Sequence, residues 1–171
     1  MALYDSTNGS SWTKKTGWGG AVGTECSWFG VTCNTSGNVI KLVLNKNNLS
    51  GTIPAKIGLL TGLTQLQLNS NKLTGSIPTE IGQLTNLRAL YLQSNRLSGN
   101  IPAEIGLLTK LTNLRLNTNK LTGTLPDEMG NLIKLKYLYL QNNSGLEGSI
   151  PKALASLKGL RLVITRTSLS N

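Results

Sequence analysis

Leucine recurs along the chain in the order L-x-x-L-x-L, followed three residues on by Asn, then by Leu, Gly and an Ile-Pro or Leu-Pro pair. From Leu63 the unit reads "LTQLQLNSNKLTGSIPTEIGQLTN", and it returns as "LRALYLQSNRLSGNIPAEIGLLTK" and "LTNLRLNTNKLTGTLPDEMGNLIK". "VIKLVLNKNNLSGTIPAKIGLLTG" precedes these units, and "LKYLYLQNNSGLEGSIPKALASLKG" follows them. Asn47, Asn71, Asn95, Asn119 and Asn143 stand 24 residues apart, and all five prolines (Pro54, Pro78, Pro102, Pro126, Pro151) fall in the same motif. The last proline is displaced by one residue, which reads as an insertion in the turn after Asn143.

The spacing dictates local structure. Strict alternation at the end of L-x-x-L-x-L predicts a short strand with Leu66 and Leu68 facing inward. The neighbouring strand is the same segment one unit later, running parallel. Asn71 then sits where the chain leaves the strand. There a buried amide can bond the backbone of its own turn and of the adjacent coil, so stacked asparagines form a ladder. Leu73, Ile77, Ile81 and Leu84 complete an inward apolar column. Gly75 permits a tight bend, and Pro78 withholds a backbone donor, which interrupts any ladder on that side. After the fifth unit, "LRLVITRTSLSN" opens a partial sixth with Leu160 and Val163 inward and Thr165 where an inward Leu is expected.

The pattern "NxLSGxIPxxIGxLxxLxxLxL" over residues 39–159 resembles the plant-type leucine-rich repeat. That resemblance implies a leucine-rich repeat solenoid: a curved right-handed superhelix of the α/β class. A parallel sheet would line its concave face, short helical or 3-10 segments its convex side, and a second short strand its flank. The expected organisation is a cap over 1–38, five repeats over 39–159, and a partial sixth repeat or C-terminal cap over 160–171, all in one structural domain. A single unit cannot bury its leucines alone, whereas stacked units bury a continuous core and display a continuous surface.

Residues 1–38 hold all three Trp (Trp12, Trp18, Trp28), the only Phe (Phe29) and both cysteines, in "CSWFGVTC". The segment resembles the N-terminal cap of secreted repeat proteins of this type, in which such cysteines pair. The resemblance therefore implies a Cys26–Cys33 disulfide and an oxidising compartment. Two cysteines without any His fall short of a zinc site, and C-x6-C is not a C-x-x-C redox motif. The sequons at Asn8, Asn34, Asn48 and Asn142 are compatible with secretion. The start "MALYDSTNGS" has neither the basic nor the apolar region of a signal peptide, so a leader is absent or already removed. No apolar run approaches the ~20 residues of a membrane span.

Within each strand, the positions between inward leucines face the concave surface. Along the units they read Lys41, Val43, Asn45, Lys46; Gln65, Gln67, Asn69, Ser70; Ala89, Tyr91, Gln93, Ser94; Asn113, Arg115, Asn117, Thr118; Tyr137, Tyr139, Gln141, Asn142; and Leu162, Ile164, Arg166, Thr167. None is acidic. The chain carries 17 Lys and Arg against 7 Asp and Glu, a net charge of +10. The carboxylates lie elsewhere: Asp5 and Glu25 in the cap, Glu147 by the insertion, and Glu80, Glu104, Asp127 and Glu128 after the prolines. Three of the four tyrosines face the concave side. Tyr and Arg are enriched at interface anchors, and Arg115 is expected to stand one ~4.8 Å strand spacing from both Tyr91 and Tyr139. Tyr91, Arg115, Tyr137 and Tyr139, with Gln67, Gln93 and Asn117, are the candidate ligand-binding residues. Lys72, Arg96 and Lys120 form a second basic column, read as a solvated edge.

With no His and no converging carboxylates on this face, no catalytic constellation is visible, and neither an enzyme activity nor a cofactor or metal is expected. Positive charge alone would suit nucleic acid, but no nucleic-acid-binding motif accompanies it. The expected role is a monomeric extracellular recognition module, either secreted or the ectodomain of a membrane protein, for a peptide, protein or anionic glycan. The alternative is ice binding through the regular Asn45, Asn69, Gln93, Asn117, Gln141 ladder, against which the bulky Tyr and Arg beside it weigh.

Overall fold

The computed structural model describes residues 2–170. The L-x-x-L-x-L segments form the strands Val39–Val43, Gln65–Gln67, Ala89–Tyr91, Asn113–Arg115, Tyr137–Tyr139 and Arg161–Val163, all parallel, in one sheet. Leu42, Leu66, Leu90, Leu114, Leu138 and Leu162 stand in register across it. Val31–Cys33 pairs antiparallel with Val39–Val43 and covers the first edge of the sheet, which would otherwise present an unpaired strand.

Beyond each Asn the chain adds a second short strand. Ser50–Thr52 pairs with Lys72–Thr74, and Ser98–Gly99, Lys120–Gly123, Gly145–Ser149 and Ser168–Ser170 form a separate four-stranded set. Each of the first four prolines then sits just before a single 3-10 turn: Ala55–Leu59, Thr79–Gln83, Ala103–Leu107 and Asp127–Asn131. A fixed φ without an N–H suits that position, where no intrahelical donor is needed. In the fifth unit a one-turn α-helix, Lys152–Ala155, takes this place.

The inward column of the second unit, Leu66, Leu68, Leu73, Ile77, Ile81 and Leu84, is entirely buried, and it belongs to one apolar cluster running from Leu3 and Trp12 to Leu154. Enclosing each such side chain contributes ~1.5–3 kcal/mol. The asparagines join the coils. Asn95 donates Nδ2 to the carbonyls of Leu68 and Leu92, both at 3.0 Å, and accepts the Leu73 N–H at 3.0 Å. Asn71, Asn119 and Asn143 make the same three bonds in their own coils. Asn47 has no preceding repeat and binds the cap instead: Oδ1 accepts the Lys14 N–H at 2.6 Å and Nδ2 donates to the Lys14 carbonyl at 2.8 Å. The cap backbone thus stands in for a missing coil. Its interior is a run of touching rings, Tyr4, Trp12, Trp18 and Trp28, beside the Cys26–Cys33 disulfide.

The last coil corrects the sequence reading. Leu162, not Val163, is in register with Leu138, and the Asn142 N–H bonds the Thr165 carbonyl as the Thr118 N–H bonds that of Gln141. The concave positions are therefore Arg161, Val163, Thr165 and Arg166, while Leu162 and Ile164 pack against the core. The expected inward Val163 and Thr165 and the expected concave Leu162, Ile164 and Thr167 are overturned. One residue is missing between Leu160 and the strand relative to the earlier units, which offsets the extra residue after Asn143. With a side-chain period of two, that single residue reverses every facing, and burying Leu and Ile rather than Val and Thr decides the register. Thr167 takes the ladder position and donates its hydroxyl to the Ile164 carbonyl at 2.6 Å.

Candidate functional site

Parallel pairing places Gln67, Tyr91, Arg115 and Tyr139 side by side on four successive strands. The Arg115 guanidinium lies between two rings, its Cζ 5.0 Å from the centre of Tyr91 and 5.2 Å from that of Tyr139. Sandwiched in this way the charge is half-buried rather than free in solvent. Each cation–ring contact contributes ~0.5–1 kcal/mol at an exposed site and more when water is excluded. Val163 continues the row on the last strand, and Arg161, brought onto this face by the corrected register, reaches across from the neighbouring column, with Cζ 6.0 Å from the Tyr139 ring. Tyr137 stands in the next column, paired in register with Asn113 and Arg161, and is exposed.

A second column runs beside the first. Gln93, Asn117 and Gln141, with Arg115 and Tyr139, line a hollow of about 250 Å³. Three of its polar atoms are out of contact with solvent and lack a hydrogen-bond partner: Gln93 Oε1, Arg115 Nε and Gln141 Oε1. A buried polar atom left unpaired costs ~1–3 kcal/mol, so a ligand that reaches these atoms recovers an unfavourable term already present in the free protein. The arrangement offers one donor on a fixed cation, two amide acceptors, and flat apolar rings on either side. It can hold an anionic group together with neighbouring N–H donors.

Of the seven residues expected here from sequence, Arg115, Tyr139, Gln93 and Asn117 share the hollow. Tyr91 lies outside its lining and stacks on the other face of Arg115. Gln67 lies one strand further out, and Tyr137 is one column away. Gln141 and Arg161 were missed as site residues. Gln141 was visible as the column-mate of Gln93 and Asn117 at the 24-residue period, whereas Arg161 was hidden by the one-residue slip in the last unit. A larger hollow, about 370 Å³, lies between the cap and the first repeat. Its lining is mainly apolar (Leu3, Trp18, Trp28, Leu42, Ile57, Leu60), with Glu25 and Lys56 as its charged members. Among the described residues no group of His, Cys, Asp and Glu is placed to hold a metal ion, and no helix is long and apolar enough to cross a membrane.

The chain matches solved structures over most of its length. The LRR ectodomain of the receptor kinase SOBIR1 from Arabidopsis thaliana is 35% identical, with a TM-score of 0.75 over 82% of this chain and 81% of that one. The plant peptide hormone receptor RGFR1, solved in complex with RGF2, is 36% identical with a TM-score of 0.76; the match covers 84% of this chain and 26% of the receptor. A plant ice-binding protein is 33% identical with a TM-score of 0.85, over 98% of this chain and 54% of that protein. The family model for a leucine-rich repeat region matches residues 38–170. With its 24-residue coils, parallel sheet and stacked asparagines, the chain belongs to the leucine-rich repeat family.

Proposed function

We propose that this chain is an extracellular recognition module that binds an acidic peptide or protein segment on its concave face through Tyr91, Arg115, Tyr137, Tyr139, Gln67, Gln93 and Asn117. The observation that carries this reading is the stacked Tyr91–Arg115–Tyr139 row with unpaired polar atoms at its centre, on a strand face without a carboxylate. An anionic group docked on Arg115 gains charge-assisted hydrogen bonds, roughly twice as strong as neutral ones. The Cys26–Cys33 disulfide supports an oxidising location, secreted or on an ectodomain. The likeness to receptor ectodomains, one of them solved with a peptide hormone, supports the partner class.

The test is a binding assay with Arg115→Ala and Tyr139→Ala, set against Lys152→Ala in the convex helix. Each concave change is expected to weaken binding by more than ~1 kcal/mol. For Arg115→Ala the loss shrinks at high salt, where the electrostatic part is screened. A convex change that matters while the concave ones do not would move the recognition surface to the flank.

The likeness to an ice-binding protein favours a second reading, a lattice-like Asn45, Asn69, Gln93, Asn117, Gln141 column. The rings of Tyr91 and Tyr139 rise beside that column and spoil a flat face. Thermal hysteresis of the protein at millimolar concentration separates the two readings.

A further inference from the structure

The edge that adjoins the concave site at Tyr137 and Arg161 concentrates charge more densely. The chain enters each sheet strand through a tight turn in which a Leu N–H bonds the carbonyl three residues earlier: Leu111 to Leu108, Leu135 to Leu132 and Leu160 to Leu157. The central residues of these turns include Lys110, Lys134 and Lys158, so each of three successive coils carries one lysine in this turn, at its second central position in the first two and at its first in the third, where Gly159 takes the second. Along the strand starts stand Arg88 and Lys136, with the uncharged Thr112 on the coil between them and Arg161 beside Lys136. The Thr112 N–H bonds the Arg88 carbonyl, and the Lys136 carbonyl accepts the Arg161 N–H, which stacks these positions coil on coil. All six side chains are exposed.

No carboxylate interrupts this leading edge. Glu80, Glu104, Asp127 and Glu128 lie at the 3-10 turns on the convex side. Beyond Glu128 the only acidic residue is Glu147, in a strand of the opposite flank. One ammonium is held in place: Lys110 Nζ donates to Asn86 Oδ1 at 2.7 Å, and Asn86 Nδ2 donates to the Thr61 carbonyl at 3.0 Å. The opposite flank has only the single column Lys72, Arg96 and Lys120. A solvated edge needs neither a second set of cations nor sorting of every acid to other faces.

We infer that the leading edge of the sheet binds a linear carboxylated polysaccharide lying along the solenoid axis. The coils repeat every ~4.8 Å, close to the rise of one sugar ring, so a polymer with one carboxylate per ring meets one lysine per coil without bending. Exposed Tyr137, between Lys136 and Arg161, supplies the flat apolar surface on which a sugar ring rests. A nucleic-acid strand fits less well. Its bases call for a series of aromatic platforms, of which this edge has one.

Binding of the intact protein to polygalacturonate and alginate oligomers of defined length tests the inference. A sulfated glycan and a single-stranded oligonucleotide serve as competing probes. Affinity is expected to rise with oligomer length until the chain spans the three coils, and to fall with salt. The triple variant Lys110→Ser, Lys134→Ser, Lys158→Ser is expected to bind polyuronate about tenfold more weakly, while Lys72→Ser, Arg96→Ser, Lys120→Ser, which removes the same charge from exposed positions, changes affinity less than about twofold. Equal weakening by the two triples would reduce the effect to net charge and overturn the inference. So would tighter binding of the sulfated glycan or the oligonucleotide, or no polyuronate binding at all. Because the assay uses the glycan alone, its failure leaves the concave-face reading standing.

Discussion

The coils headed by Leu63, Leu87 and Leu111 and the coil headed by Leu160 follow one pattern but have different neighbours. In the middle coils the inward leucines are fully enclosed, whereas Leu160, Leu162 and Ile164 are only half-buried. Asn95 pairs three backbone groups across two coils; Thr167, at the same place, pairs only groups of its own coil, the Ile164 carbonyl and, at 3.4 Å, the Leu169 N–H. A Cβ on Gly82 or Gly106 would meet the carbonyl of Glu104 or Glu128 in the next coil at 2.7 and 2.4 Å. Ala155 occupies the corresponding position in the fifth unit and is exposed. The glycine of the repeat is thus demanded by the following coil and the asparagine by the preceding one, and both are replaced at the end of the stack.

Substitutions at matched positions can break that comparison. The largest difference is expected for Leu114→Ala against Leu162→Ala, two residues of the same register column. The enclosed leucine leaves a cavity and costs ~3–5 kcal/mol, while the half-buried one costs ~1 kcal/mol. Equal shifts in urea midpoint would mean that the last coil packs as tightly as the middle. Next comes Asn95→Ala, which orphans the Leu73 N–H and two carbonyls at ~1–3 kcal/mol. Thr167→Ala, and Gln93→Ala on the concave face, should each stay within ~0.5 kcal/mol. Hydrogen exchange at the Leu73 amide would report the first of these directly. The smallest contrast is steric: Gly82→Ala forces coils apart at ~1–3 kcal/mol, and Ala155→Gly costs only the ~0.5–1 kcal/mol of backbone entropy. A neutral Gly82→Ala in thermal melts would show that the spacing between coils is set by something other than this close approach.

Much of this comparison was legible in the residue order. The period, the inward leucines, the asparagine column and the prolines follow from alternation within one unit, because a side chain's facing in a strand is set by its own backbone. Gln141 was equally readable, from its spacing to Gln93 and Asn117. The last unit was not. The fifth unit's insertion after Asn143 and the missing residue after Leu160 cancel, and local alternation reads just as well with Val163 inward as with Leu162 inward.

What the sequence by itself determined is therefore the interior of a coil: which residues point in, where the chain turns, and which Asn can bond two turns. The tertiary structure alone decided relations between coils. Burial of Leu162 and Ile164 against the fifth unit chose the register that brings Arg161 beside Tyr139. Stacking across strands half-buried Arg115 between two rings and left its Nε unpaired. The division has one physical cause. Facing within a strand is a local property of the backbone, whereas register and side-chain stacking are settled by the free energy of packing one coil on the next.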